Sequence, residues 1–189
     1  MDEDTLQGRL AFLKAAEALK DTLRSGHTSQ GRPESTAEHS WRLCLLALAF
    51  EDRLPGIDML RLLKLCIVHD LGEAIHGDIP AVEQVDKAAK QEQEREDMRR
   101  LTAPLDPALR GQVLGLWEEY EAGATPEAAL AKALDKLETL LQHNQGRNPP
   151  GFDYAFNLDY GRRYTAAHPL TAALRDMLDR DTRDRAAGK

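Results

Sequence analysis

The most reactive run in the chain is His69-Asp70-Leu71-Gly72-Glu73-Ala74, where an imidazole and a carboxylate stand side by side at the end of the apolar stretch Leu60 to Val68. Adjacent helical residues point ~100° apart. His69 and Asp70 therefore reach one ion only from a disrupted helix end, which Gly72 permits. Glu73 follows four residues after His69 and three after Asp70, one turn on, and so can face the same ion or its water. A histidine alone at such a place is an ordinary core residue. A carboxylate beside it is different, because a buried carboxylate needs a partner or a metal. Glu38-His39-Ser40, at the entrance to a second apolar run, offers that metal another imidazole.

Two histidines and one aspartate leave a divalent ion under-coordinated, so a further carboxylate should arrive from elsewhere. Asp135 is the best candidate, within Ala131-Lys132-Ala133-Leu134-Asp135-Lys136-Leu137, where apolar neighbours at helical spacing turn part of the helix toward the core. Glu138, one turn later, is its rival, and spacing alone does not separate the two. Mixed imidazole and carboxylate ligands suit one divalent ion of Mn, Fe, Co, Ni or Zn rather than a dedicated Mg or Ca cage.

These residues need helices to position them. Leu6, Leu10, Leu13, Ala16 and Leu19 recur at helical spacing and predict a first amphipathic helix to about Leu23, ended by Ser25-Gly26. After a polar, turn-rich stretch to Pro33, Ser35 or Thr36 caps a second helix with Glu38 in its first turn. Its body, Trp41 to Phe50, is almost continuously apolar and predicts a central helix with little exposed face. Pro55-Gly56 breaks the run, and a third helix from near Ile57, with Asp58 at its start, carries the chain to His69. Val82 to Leu101 reads as a charged surface helix with one-turn pairs such as Glu92 with Arg95 and Glu96 with Arg100. Asp106-Pro107 opens a helix through Tyr120, and Thr125-Pro126-Glu127 opens the one that delivers Asp135 and Glu138. Gly146 to Gly151 is a loop, and one or two closing helices over Tyr154 to Asp181 precede a frayed tail. No strand-period pattern of useful length appears. The expectation is an all-α, single-domain helical bundle over residues 1–189, with its core at about 10–145 and residues 146–189 as a loop and C-terminal helical segment.

Composition narrows the function. At 189 residues one domain buries a sizeable core without staples. With 25 Lys and Arg against 32 Asp and Glu, a net charge of −7 disfavours nucleic acid or anionic membranes as partners, while leaving room for a small, locally cradled anion. Cys44 and Cys66 lie in apolar runs and imply no disulfide. The acidic N-terminus lacks the charge of a secretory signal, and no apolar run reaches the ~18 residues of a membrane span. The expected location is the cytoplasm. His27, His76, His143 and His168 have no partner at ligand spacing and read as surface or helix-end residues, with His76 the nearest to the pocket. Arg32 and Arg42 are expected to pair with carboxylates rather than with ligand, and Trp117 to lie in the core or an interface.

His39, then His69-Asp70 thirty positions on, then Asp135 sixty-five later, resembles the H…HD…D signature of the HD superfamily. Glu34-Ser35-Thr36-Ala37-Glu38-His39-Ser40-Trp41, Val68-His69-Asp70-Leu71-Gly72-Glu73, Gly77-Asp78-Ile79-Pro80 and Lys132-Ala133-Leu134-Asp135-Lys136 resemble, more narrowly, the subgroup containing bacterial 5'-deoxynucleotidases. The likeness runs from about Leu10 to about Leu141. It implies an HD-type helical bundle, one divalent metal per subunit held by His39, His69, Asp70 and Asp135, a homodimer, and release of phosphate from deoxyribonucleoside 5'-monophosphates. It also selects Asp135 over Glu138, places Glu73 and Asp78 near the attacking water and the nucleotide, Pro80 in the same turn, and Arg24 on the 5'-phosphate. Ser25 stands where those enzymes can have an aromatic residue. Other HD phosphohydrolases, such as phosphodiesterases or nucleotide pyrophosphohydrolases, and a non-catalytic metal- or nucleotide-sensing module are the competing expectations.

Overall fold

The computed structural model describes residues 2–79 and 87–188. Among these, nine α-helices follow in order: α1 (Glu3–Ala16), α2 (Thr36–Ala49), α3 (Met59–Val68), α4 (Glu73–His76), α5 (Lys87–Leu101), α6 (Pro107–Ala122), α7 (Pro126–Gln145), α8 (Arg162–Thr165) and α9 (Pro169–Ala186). The fold is the expected helical bundle. One two-stranded antiparallel hairpin, β1 (Leu23–His27) with β2 (Pro33–Ser35), joins α1 to α2.

α7 is the axis. Thr125 caps its N-terminus and Pro126 occupies its first turn, where a proline lacks nothing the helix needs. Its apolar faces meet α2, α3, α6, α8 and α9. Leu43 and Ala47 of α2, Leu62, Leu65 and Cys66 of α3, and Leu130, Ala131, Leu134 and Leu137 of α7 form the main core. A second cluster, with Leu19, Val68, Met98, Leu101 and Trp117, fills the space beneath α5 and α6. Trp117 is thus a core residue, as expected. Glu92 pairs with Arg95 and Glu96 with Arg100 along α5, and Arg32 and Arg42 pair with Glu38 and Glu138.

Three expectations are corrected. The first helix ends at Ala16 and passes through a 3₁₀ turn, Glu17–Lys20, into β1 rather than running to Leu23. The β1 strand was invisible to apolar alternation because it meets α7 through Gly26 rather than through an apolar side chain. A Cβ there would stand 3.2 Å from Gln142 and His143 side-chain carbons. Finally, α2 is not buried all round. It buries Thr36, His39, Ser40, Leu43 and Ala47 and leaves Trp41, Leu45 and Leu48 exposed. No helix of the described residues is long and apolar enough to cross a membrane.

Candidate metal centre and cavity

Local sequence aims each histidine. Ser35 accepts from the Glu38 backbone N–H while the Glu38 carboxylate accepts from that of Ser35, a reciprocal cap that fixes where α2 begins. His39 then sits one turn in, fully buried. At the end of α3 the helix tightens into i to i+3 hydrogen bonds, Leu71 N–H to Val68 and Glu73 N–H to Asp70, so the adjacent His69 and Asp70 both face inward. Gly72 sits under the α5 backbone, where a Cβ would come within 3.1 Å of the Glu94 carbonyl. A side chain there would have to push the α5 backbone away by a few tenths of an ångström.

Both imidazoles have their proton placed by a partner. His69 Nδ1 donates to the Cys66 carbonyl at 2.8 Å, and His39 Nδ1 bonds the Glu138 carboxylate, itself held by Arg42. With Nδ1 committed, each ring turns its Nε2 lone pair outward. Those two Nε2 atoms are buried and make no hydrogen bond. They face carboxylate oxygens instead. Asp70 Oδ2 lies 3.0 Å from His69 Nε2 and 3.8 Å from His39 Nε2, and Asp135 Oδ1 lies 3.2 and 4.0 Å from His39 and His69 Nε2 respectively. Two orphaned imidazole nitrogens converging on two carboxylates form a donor set that fits a divalent cation. His39, Glu34 and Glu138 also lie close enough to group around an ion, but the nitrogen on that side is already bonded to Glu138. Glu138 thus bonds His39 through Nδ1, whereas Asp135 faces its Nε2.

The electrostatics agree. Burial and then Arg24 push the His39 imidazole down, and Glu138 with Asp135 outweigh them, so that with a proton on Nε2 the ring is held up at about 10, and a cation at Nε2 would take that proton's place. Burial raises Asp135 and Asp70, yet Lys136 and His39 for the first, and His69 and Arg24 for the second, keep both below the ordinary carboxylate range. Anionic carboxylates concentrated on buried imidazoles favour positive charge. Asp135 is further fixed through its other oxygen, which accepts from Tyr120 Oη and Lys136 Nζ, each at 2.7 Å.

His69, Asp70 and Asp135 of the cluster line a cavity of about 670 Å³, together with Arg24, Ser25, Glu73 and Asp78. Arg24 donates to Asp70 at 3.2 Å and to Thr139 at 3.2 Å, so its guanidinium stands beside the cluster. Glu73 is buried, with Thr36 and Lys90 against it. Burial, then Asp70 and Asp78, push its carboxyl up to about 9. Pro80 lies outside the described residues. His76 bonds Asp97 and does not line the cavity, while His168 caps α9.

His143 is corrected. It lies in the last turn of α7 but is buried, lines the cavity, and bonds Asn157. Burial, reinforced by Arg24 against the Asn157 hydrogen bond, holds it down at about 4. Its signal was present: Asp135, Thr139 and His143 recur every four residues on one helical face. Phe152 and Asn157, which line the cavity beside His143, and Tyr160 and Tyr164, which line it beside Lys136 and Lys132, carried no such periodicity.

Comparison with known proteins is consistent with this geometry. Residues 16–175 match the family model described as an HD domain. The chain is 38% identical over 142 residues to the 5'-deoxynucleotidase HDDC2 of Danio rerio, spanning 74% of this chain and 70% of that one. It is 39% identical over 137 residues to the 5'-deoxynucleotidase hdd1 of Schizosaccharomyces pombe, spanning 69% and 68%. The crystal structure of a predicted metal-dependent phosphohydrolase from Magnetospirillum magnetotacticum superposes with a TM-score of 0.81 at 29% identity, covering 97% of this chain and 95% of that one. A Pyrococcus horikoshii protein gives a TM-score of 0.64 at 27% identity, covering 92% and 98%. With the H…HD…D residues converging at the end of one cavity and most of its length matching the HD model, this chain belongs to the HD-domain family and is a hydrolase within it.

Proposed function

We propose that the protein hydrolyses the phosphate ester of 2'-deoxyribonucleoside 5'-monophosphates, using one divalent ion held by His39, His69, Asp70 and Asp135. The observation that carries this reading is the pair of buried, unbonded Nε2 atoms of His39 and His69 facing two carboxylates at the end of a cavity that Arg24 also lines. The names of the relatives, 5'-deoxynucleotidases from fish to yeast, support the substrate. When bound, a cation of the Mn, Fe, Co, Ni or Zn type supplies polarisation of the phosphoryl oxygen and acidification of water.

The chain's own residues do the rest. Arg24, already desolvated beside Asp70, meets the phosphate dianion with a charge-assisted hydrogen bond. Glu73, the first residue of α4, and Asp78, just after that helix, line the cavity with the cluster. A bound cation's charge would offset the burial and the neighbouring carboxylates that hold Glu73 up, leaving one of the two to accept the proton of the attacking water and return it to the departing O5'. Ser25 and Pro80 contact the nucleotide. Catalysis is then mostly positioning and charge stabilisation.

The exposed apolar residues of α2, Trp41, Leu45 and Leu48, support a homodimer in which a second copy covers them. Two free cysteines accord with a reducing cytoplasmic setting, and the net charge of −7 with a small-molecule rather than nucleic-acid substrate. The test is phosphate release from deoxyribo- and ribonucleoside 5'-monophosphates by metal-stripped protein reloaded separately with Mn, Co and Zn. Metal-dependent release favouring deoxy substrates is expected. No release from protein shown to bind the ion would overturn the reading.

A further inference from the structure

Beyond the cation end the cavity runs along α7. Asp135, Thr139 and His143 follow at four-residue intervals, so at ~1.5 Å per residue His143 lies about 12 Å along the axis from Asp135. Arg24 meets Thr139 midway. Such a span suits a nucleotide with its phosphate at one end and its base at the other.

At the far end three polar side chains form a chain with a direction. His143 Nδ1 lies 3.1 Å from Asn157 Oδ1, and His143 Nε2 lies 3.5 Å from Ser25 Oγ. A neutral imidazole donates from one nitrogen and accepts at the other, and the Asn157 carbonyl can only accept. Nδ1 therefore carries the proton, and Nε2 faces the Ser25 hydroxyl. Asn157 Nδ2 is left over. The residue is 1% exposed and lines the cavity, and its amide nitrogen is buried without a hydrogen-bond partner. A buried donor left unpaired costs free energy until an acceptor reaches it.

The position is also held rigidly. Buried Arg175 donates to the main-chain carbonyls of Asn157 and Leu158 at 2.9 and 2.6 Å, and Asp179 braces it at 2.6 Å. Beside this amide, Phe152 packs edge-on against the His143 ring, centroids 4.8 Å apart at 76°, and lines the same cavity.

We propose that this end reads the nucleobase: Phe152 packs against the base, and Asn157 Nδ2 donates to a carbonyl oxygen or ring nitrogen on its edge. The inference rests on the nucleotidase reading above and adds which part of the chain recognises the base. It assigns recognition to the segment after α7, distant in sequence from the ligands.

The experiment compares kcat/KM for dCMP, dTMP and dAMP with that for 2-deoxyribose 5-phosphate, which keeps phosphate and sugar but lacks a base. Metal-loaded wild-type, Asn157→Asp and Phe152→Leu proteins are measured. The wild type is expected to prefer the nucleotides, and the ratio of nucleotide to base-free turnover to fall roughly tenfold in Asn157→Asp, the size of one lost hydrogen bond to a buried group. A several-fold fall is expected in Phe152→Leu, whose ratio decides alone if the asparagine variant does not fold. An unchanged ratio in the folded variants, or a wild type that turns over the base-free sugar phosphate equally well, overturns the inference and leaves the nucleotidase reading standing. A wild type that hydrolyses none of these compounds overturns that reading, and the inference with it.

Discussion

The two ends of the cavity are built from different materials. At the cation end His39, His69, Asp70 and Asp135 come from α2, the end of α3 and α7, and each is clamped from behind: Glu138 on His39, the Cys66 carbonyl on His69, Arg24 on Asp70, Tyr120 and Lys136 on Asp135. At the far end Phe152 comes from the loop after α7 and Asn157 from a four-residue 3₁₀ turn, Ala155–Leu158, whose carbonyls Arg175 fastens. The cation end should tolerate almost no change. The far end can alter which substrate is taken without disturbing how phosphate is removed.

The sharpest way to break that contrast is at a ligand. Asp135→Ala should lose bound metal, read by elemental analysis, and slow phosphate release by ~10³-fold or more, since the ion contributes several kcal/mol of charge stabilisation. Full metal content and activity in this variant would remove Asp135 from the site. One step back, Glu138→Gln keeps the shape but weakens the hold on His39 Nδ1, and should lower metal affinity by roughly 10- to 100-fold in a chelator competition. An unchanged affinity would mean that the helices alone orient His39.

The far end has its own signature in acid. His143 is held at about 4 in the folded chain, below its ordinary value of 6.5, so the folded state binds fewer protons between these values than the unfolded one. The stability this contributes is present above pH 6.5 and is lost as pH falls toward 4, by up to ~3 kcal/mol. Thermal melts of wild type and His143→Gln over that range should therefore converge as acid is added. Parallel curves would mean that His143 is not the group responsible. The smallest effect is at the entrance to α2. Ser35→Ala deletes half of the reciprocal cap and should cost ~1 kcal/mol, a fall of about 2–4 °C in Tm, with metal content retained because His39 is still held by Glu138. Loss of metal would show that the cap positions the ligand.

Much of the cation end was legible in the chain itself. His69 and Asp70 stood out because charge ended an apolar run, and Ser35 and Glu38 marked the helix start that delivers His39. Thr125-Pro126 did the same for α7. These are local rules of capping and periodicity, and they act over a turn or two of chain. The same rules overestimated the burial of α2, because an apolar run does not say whether another helix, or a second molecule, covers its outer face.

What required the tertiary structure was everything set by approach between distant segments. Asp135 and Glu138 are one turn apart and both buried, and nothing local turns one toward the two Nε2 atoms and the other toward His39 Nδ1. That division follows from where α2 crosses α7. The β1 strand was hidden because its contact with α7 depends on the missing side chain of Gly26. Asn157 acquired meaning only when Arg175, eighteen residues on, fixed its backbone beside His143. The sequence by itself determined the helices and most of the groups able to bind an ion, because those depend on neighbours along the chain. Only the folded chain decided which faces meet, and therefore which buried donors and acceptors are left for a substrate.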